Sequence, residues 1–192
     1  MSRRDEVRFL LIEGVIVLFG VLAALLVDGI REDAALRETA DEAVQRVFVE
    51  TQQNLDEMLD MVSVVEDRLG RLRALKTEAP ENASLADVVG RFVGYATPEL
   101  NRAAWERLSQ SEMSSVVDPD LLTEAFHLYE WERQFESLEL EISRLAYSEL
   151  FYRPDDRPIA ILISERMMAQ QLSWASTLIP MYEQFLSRQE GD

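Results

Sequence analysis

The longest apolar segment of the chain lies near the amino terminus, at residues 9–27. Glu13 is the only ionisable residue among its 19 positions, and a helix formed by the segment would be apolar on every side. At about 1.5 Å per residue this helix is roughly 28 Å long, against a hydrocarbon core of about 30 Å. The pattern predicts a transmembrane helix at residues 9–28, between a short terminus at 1–8 and an extramembrane domain at 29–192.

Two other interpretations of this segment fit less well. A core helix of a soluble domain seldom stays apolar on all faces over this length. A cleaved secretory signal has a shorter apolar region and an Ala-x-Ala-like site after it, whereas this segment ends in Leu-Leu-Val-Asp-Gly. We therefore expect an uncleaved anchor.

The charges that flank the segment predict its orientation. Arg3, Arg4 and Arg8 precede it, and a run of mixed charge follows it. Because positive residues stay on the cytoplasmic side, we expect a cytoplasmic N-terminus in the inner (cytoplasmic) membrane and a periplasmic or extracellular domain. The mixed run and two acids before the segment leave the opposite topology as the alternative.

Three residues within the predicted span are candidates for helix association in the membrane. Glu13 lies one turn into the span, where a carboxylate either reaches the headgroups or hydrogen-bonds a partner helix. Gly20 and Ala24 form a small-xxx-small step, which allows a second helix to approach closely.

A long helical pattern follows the span, from about residue 30 to 76, with a possible kink at Asp28-Gly29. Its apolar positions alternate in steps of four and three, which is typical of a heptad seam. Further apolar residues at Val47, Leu59, Met61 and Val64 widen the stripe and favour a bundle with a globular core. The seam consists of Val44, Phe48, Thr51, Leu55, Met58, Val62, Val65, Leu69 and Leu72.

The rest of the chain predicts four more helices and no strand. Two are short, at about 85–95 and from Pro98 to about 108, and two are long, at about 119–152 and 159–188. Ser84 and Asp87 suggest a capping box at the start of the first of these helices. Prolines at 154 and 158 separate the long helices, and Pro180 should kink the last one. We therefore expect an all-α protein whose N-terminal transmembrane helix continues into an antiparallel helical bundle.

The net charge of the chain restricts its partners. The chain carries −17 at neutral pH, and about −16 of this charge lies from residue 30 onward. Such a surface repels nucleic acid and anionic headgroups, so neither is an expected partner of the domain. The chain has no cysteine, which excludes disulfides and thiol catalysis.

The sequence offers little catalytic chemistry, and we expect neither an enzyme nor a bound cofactor or metal. Glu124 and His127 have the Glu-x-x-His spacing of di-iron bundles, but His127 is the only histidine and two such motifs are required. An acidic cluster on the helix from residue 119 is interpreted as a solvated face; it consists of Glu130, Glu132, Glu136, Glu139 and Glu141.

The aromatic residues leave two interpretations open. They are expected mainly as core or interface anchors, but they could instead line a ligand pocket between helices, where Arg133 and Arg144 could bind an acidic molecule. These aromatic residues are Trp105, Tyr129, Trp131, Tyr147, Tyr152, Trp174 and Tyr182.

Several segments resemble an uncharacterised family of small bacterial single-span membrane proteins with an extracytoplasmic all-helical domain. Near the span these are Leu10-Leu-Ile-Glu13, the run from Gly20 to Asp28 and Ile30-Arg-Glu32, with Ile30 at a position where the family has tryptophan. Further along they are residues 104–113, 118–122 and 128–129. The resemblance implies the same architecture and no particular activity.

Two functions are compatible with these observations. The first is a membrane-anchored interaction or accessory protein that contacts the bilayer through residues 9–27 and assembles with another envelope protein or with copies of itself. The alternative is an extracytoplasmic ligand-sensing bundle that relays its signal to a separate partner, because about eight cytoplasmic residues are too few for an output domain.

Overall fold

The computed structural model is all-helical in the part of the chain that it describes, namely residues 3–78, 80, 82–89, 97–146 and 148–189. Side chains are described there from residue 18 onward, except at 76–78, 89, 145 and 146. The α-helices are α1 (Arg3–Glu78), α2 (Leu85–Val89), α3 (Ala103–Ser109), α4 (Pro119–Ala146) and α5 (Arg157–Ser187). Short 3₁₀ turns lie at Glu112–Val116, Glu149–Phe151 and Pro154–Asp156.

Helix α1 has two parts with different surroundings. It runs through Asp28 and Gly29 without a break, so the predicted division at residue 28 falls inside one helix of 76 residues. Residues 18–35, which we call the arm, have exposed side chains throughout. The first buried side chain among those described in α1 is that of Ala40, and from there the helix forms one wall of a bundle.

The bundle consists of the second part of α1 together with α4 and α5. Phe48 of α1 packs on Phe185 of α5, and Arg73 lies 3.8 Å from Glu165, so these helices run in opposite directions. The hydroxyl groups of Thr51 and Tyr129 of α4 are hydrogen-bonded at 3.3 Å, and one turn later in both helices Asn54 donates to Glu132 at 2.9 Å. The residue numbers of α1 and α4 therefore increase in the same direction. The expected antiparallel arrangement therefore holds for α5 against its two neighbours, whereas α1 and α4 are parallel.

Each long helix buries a stripe whose positions alternate in steps of three and four, as in coiled-coil packing. The seam predicted on α1 is confirmed, since seven of its nine residues are buried and Val44 and Val62 are half-buried. Val47 and Met61 are buried beside it, but Leu59 and Val64 are exposed. The seam of α4 is Ala125, Leu128, Glu132, Phe135, Glu139 and Ile142, and that of α5 is Ile161, Ser164, Met168, Gln171, Ala175, Leu178, Tyr182 and Phe185.

Two predicted boundaries of the long helices change. Pro158 does not precede α5 but lies in its first turn, where a missing N–H costs nothing. Helix α4 ends at Ala146, six residues earlier than predicted. The predicted capping box is confirmed, because the Ser84 hydroxyl donates to Asp87 at 2.7 Å and accepts from the Asp87 amide at 3.2 Å. Residues 90–96 of the predicted first short helix lie outside the described residues.

The second short helix begins later than predicted. Residues 97–102 are irregular, and α3 starts only at Ala103. The backbone N–H of Asn101 donates to Asn54 Oδ1 and its carbonyl accepts from Asn54 Nδ2, both at 2.8 Å. Since this pairing occupies both backbone groups, a tertiary contact keeps Asn101 out of the helix.

Candidate functional site

A group of polar side chains crosses the apolar core between α1, α4 and α5. Buried polar groups need hydrogen-bond partners, so a set that spans three helices fixes their relative positions. We call this set the polar junction; it consists of Glu50, Thr51, Asn54, Tyr129, Glu132 and Tyr182, all of them buried.

Glu50 attaches α3 to the bundle. Its two carboxylate oxygens accept the backbone N–H groups of Ala104 at 2.7 Å and Trp105 at 3.1 Å, and Oε1 also accepts the Tyr129 hydroxyl at 2.9 Å. The first N–H groups of a helix have no partner within the helix and attract negative charge. A carboxylate from α1 therefore caps α3, whose own N-cap residue, Arg102, makes no side-chain capping hydrogen bond. The N–H of Ala103 donates to Asn101 Oδ1 at 3.0 Å.

Glu132 is the most enclosed carboxyl group of the polar junction. Its side chain is 0% exposed, and Oε1 accepts from Asn54 Nδ2 at 2.9 Å and from the Tyr182 hydroxyl at 2.7 Å. Oε2 is buried and has no hydrogen-bond donor among the described residues. Burial raises the pKa of Glu132 to about 7, although the two hydrogen bonds and the positive charge of Arg102 act in the opposite direction.

A second buried carboxyl group on α4 lies two turns beyond Glu132. Glu139 accepts a hydrogen bond from Gln171 Nε2 at 2.6 Å, and burial raises its pKa. The prediction that the acidic cluster is a solvated face is therefore wrong for Glu132 and Glu139. Both residues lie on the α4 seam, at the same steps of three and four as its apolar residues. This spacing in the sequence was the signal that could have predicted their burial.

The aromatic residues pack mainly on one another. Trp105 stacks on Tyr129 with ring centroids 5.3 Å apart, and Trp131 meets Trp174 edge to face at 5.1 Å. The phenol of Tyr182 is fully buried against Glu132. These contacts favour the interpretation of most of these aromatics as core anchors, but Tyr152 is 59% exposed and is not one of them. Arg133 is exposed and bonded to Glu130, and Arg144 is exposed. Tyr147 lies outside the described residues.

Both residues of the Glu-x-x-His motif line one small cavity of about 210 Å³. Glu124 is hydrogen-bonded to Arg188, and the side chain of His127 is exposed. The described residues contain no group of three or more His, Asp or Glu side chains placed to hold a metal ion.

A larger cleft of about 680 Å³ opens at the end of the bundle from which the arm emerges. Its apolar wall is formed by Val44 and Phe48 of α1, by Leu121 of α4, and by Val116 and Val117 at the end of the first 3₁₀ turn. Asp41, Asp118 and Arg188 lie at its polar edge. A ligand in this cleft would touch the helix that continues into the arm.

The predicted membrane residues lie on the arm or before it. Gly20 and Ala24 are exposed, and a Cβ atom added at Gly20 would meet nothing within 4 Å. The side chain of Glu13, like those of residues 9–17, lies outside the described part of α1. Where side chains are described, no helix combines the length and the hydropathy that crossing a bilayer requires.

Comparison of the chain with protein-family models, with curated proteins and with solved structures finds no match. The polar junction is enclosed, so its carboxyl and phenol groups can hold protons and position helices but cannot contact a substrate while the bundle is closed. The arm and the cleft, in contrast, are accessible from outside the bundle.

Proposed function

We propose that this chain is a membrane-anchored helical protein whose bundle docks onto, or assembles with, another envelope protein. The main observation that supports this proposal is the exposed apolar surface of the arm. Its exposed apolar side chains are Leu18, Phe19, Val21, Leu22, Leu25, Leu26, Val27 and Ile30, and none of the other residues that the structure describes covers them. Single exposed apolar residues are common, but a continuous run on all sides of one helix requires a lipid or protein environment.

The unbroken course of α1 supports the proposal that the arm attaches the bundle to the membrane. A single helix joins the arm to the bundle core, so the bundle would be held directly above the bilayer with no flexible linker. In this proposal residues 9–27 span the inner membrane, the N-terminus is cytoplasmic and the domain is periplasmic or extracellular. Membership of the single-span family that the sequence resembles is part of the same proposal.

Site-directed labelling tests the anchor and its topology, because the chain has no cysteine of its own. We would introduce Ser2→Cys or Gln53→Cys and treat intact spheroplasts with a membrane-impermeant maleimide. We expect Gln53→Cys, on the exposed face of α1, to be labelled at once and Ser2→Cys only after lysis. The reverse pattern would overturn the topology, and release of the protein by alkaline carbonate would overturn the anchor.

A pair of charge substitutions tests whether the arm is responsible. Leu18→Arg combined with Leu22→Arg should release the protein from membranes, because the proposed span at residues 9–27 has its centre at residue 18 and each charge near the centre of a span costs about 2.5–3.5 kcal/mol. The matched control is Val49→Arg with Gln53→Arg, which has the same spacing at exposed positions of α1 outside the arm. Membrane attachment that survives the first pair would exclude the arm as the anchor.

Docking to a partner is tested by cross-linking. A photoreactive maleimide on Gln53→Cys should capture one envelope protein at close to stoichiometric yield in native membranes. Cross-links spread over many abundant proteins, or none, would count against an accessory role.

The alternative function is ligand sensing, and the cleft of about 680 Å³ is the observation that favours it. Its volume is in the range of small-molecule sites, and it contacts α1 just above the arm. A metabolite that co-purifies with the wild-type chain and is lost in Val44→Trp, which fills the cleft, would favour this function over docking.

A further inference from the structure

The carboxyl group of Glu132 is poorly accommodated as an ion. Only one of its oxygens receives hydrogen bonds, while Oε2 is enclosed without a donor among the described residues. A buried ionised carboxylate normally has a cation or a full set of donors, because its desolvation is otherwise uncompensated. A neutral carboxyl leaves only a hydroxyl or carbonyl unsatisfied, which costs far less.

The surroundings of Glu132 do not supply the missing charge. From α1 it faces Asn54 and the negative Glu50, and from α5 it faces the neutral hydroxyl of Tyr182. The neighbouring cation is Arg102, from the segment before α3, but its guanidinium is bonded at 2.8 Å to Glu136 on the more open side of α4. The hydroxyl of Tyr129, on α4 itself, is bonded to Glu50.

We propose that Glu132 is a proton-operated switch of the bundle, neutral while the polar junction is closed and ionised when the junction loosens. In the loosening step the O–H bond of the carboxyl breaks and the proton passes to solvent water. The remaining carboxylate then needs new donors, which are either water entering the junction or the guanidinium of Arg102. Both require α4 to move relative to α1, α5 or the segment before α3.

The direction and the range of the response follow from burial. Since burial raises the pKa of Glu132 to about 7, the closed form is favoured in mildly acidic solution and weakened above neutrality. A carboxyl group with this pKa is a suitable sensor in a compartment whose acidity varies. The inference goes beyond the proposed function, because it depends only on the bundle and not on whether the arm lies in a membrane.

Infrared difference spectroscopy of the purified full-length chain in mild detergent tests the protonation directly. Between pH 5 and 9 we expect a protonated-carboxyl C=O band that disappears with a midpoint near pH 7. The band should be absent in Glu132→Gln and unchanged in Glu141→Gln, a matched substitution at an exposed position of α4. Glu139→Gln identifies any second band, because that carboxyl is also buried. A Glu132→Gln spectrum identical to that of the wild type would overturn the proposal.

Hydrogen exchange tests whether ionisation loosens the bundle. After correction for intrinsic rates, amides in residues 47–58, 128–136 and 178–185 of the wild type should exchange at least about tenfold faster at pH 8 than at pH 6. In Glu132→Gln the corrected rates should be the same at both values. Equal corrected rates in the wild type would overturn the switch even if the carboxyl titrates.

Tyr182→Phe keeps the test decisive if Glu132→Gln does not fold. It removes one hydrogen bond to Oε1, so the carboxylate loses a stabilising donor and the midpoint of the infrared titration should rise by about one pH unit. A midpoint that does not move would show that the titrating group is not Glu132.

Discussion

At the scale of single residues, the polar side chains inside the bundle decide how its parts are joined. Glu50, Asn54 and Glu132 all point inward from positions on or next to the buried stripes, and each bonds to a different element. Glu50 holds α3, Asn54 holds the backbone of Asn101, and Glu132 connects α1 to α5 through Asn54 and Tyr182. Removing one partner from such a set leaves the others buried and unpaired.

Replacing Glu50 therefore tests the cap on α3. Glu50→Ala leaves two backbone N–H groups and the Tyr129 hydroxyl without their acceptor, and we expect a loss of about 2–4 kcal/mol in the free energy of unfolding. Urea denaturation followed by circular dichroism measures it. Glu66→Ala, at an exposed position of α1, is the matched control and should change stability by less than about 0.5 kcal/mol. Equal effects of the two substitutions would contradict the capping role.

The pH dependence of stability is a second residue-scale prediction. The pKa of Glu132 is raised from its ordinary value of 4.5 to about 7 in the folded chain. Its contribution to the free energy of unfolding is therefore complete below about pH 4.5 and is lost as the pH rises through 7, by roughly 3 kcal/mol. Glu139 changes stability in the same direction. Between pH 5 and 8 the melting temperature of wild type should fall more steeply than that of Glu132→Gln, and parallel curves would refute the assignment.

At the scale of elements, α1 shows how one helix serves two environments. Its buried stripe from Val47 to Leu72 faces α5 and α3, while the opposite side carries charged residues with a few exposed apolar ones. Leu59 is 46% exposed although it directly follows Met58, which is 0% exposed. The position on the seam, rather than the hydrophobicity of the side chain, determines burial.

This neighbouring pair gives an element-scale prediction. Met58→Ala should cost about 2–5 kcal/mol, because it removes a fully buried side chain and leaves a cavity. Leu59→Ala should cost well under 1 kcal/mol, since much of that side chain is already in solvent. Urea denaturation of both variants in the same detergent compares them, and a larger cost for Leu59→Ala would refute the seam as described.

At the scale of the whole molecule, the chain divides into an arm and a bundle that share one helix. The core begins at Ala40, and no side chain between residues 18 and 35 is buried. The bundle accordingly needs nothing from the arm for its packing, and the arm gains nothing from the bundle to cover its apolar surface. The two parts share one helix, but the packing of the bundle does not depend on the arm.

A truncation tests this separation. A chain that starts at residue 31 should remain monodisperse without detergent, because the exposed apolar run is gone. It should also melt cooperatively within a few degrees of the full-length chain, as measured by circular dichroism. Loss of cooperative melting would show that the arm contributes to the core.

Local spacing and local hydrogen bonds in the sequence were sufficient to predict the helical class, the seam of α1 and the capping box at Ser84. The sequence also indicated the apolar run at residues 9–27, whose second half lies in the arm. The predicted start of α3 was wrong because a distant partner intervened: Asn54 holds Asn101 out of α3, a contact that no local pattern encodes.

The spacing of Glu132 and Glu139 places both on the buried stripe of α4, but the partners of these carboxyl groups come from other helices. By residue type alone, Glu132 and Glu139 cannot be distinguished from the solvated glutamates of α4. In the folded chain α5 places Tyr182 next to Glu132 and Gln171 next to Glu139, and these residues supply hydrogen bonds to the two carboxyl groups. Only the tertiary structure decided these partners and the parallel course of α1 and α4. Local periodicity specifies which face of a helix is apolar, whereas the packing of whole helices specifies what that face meets.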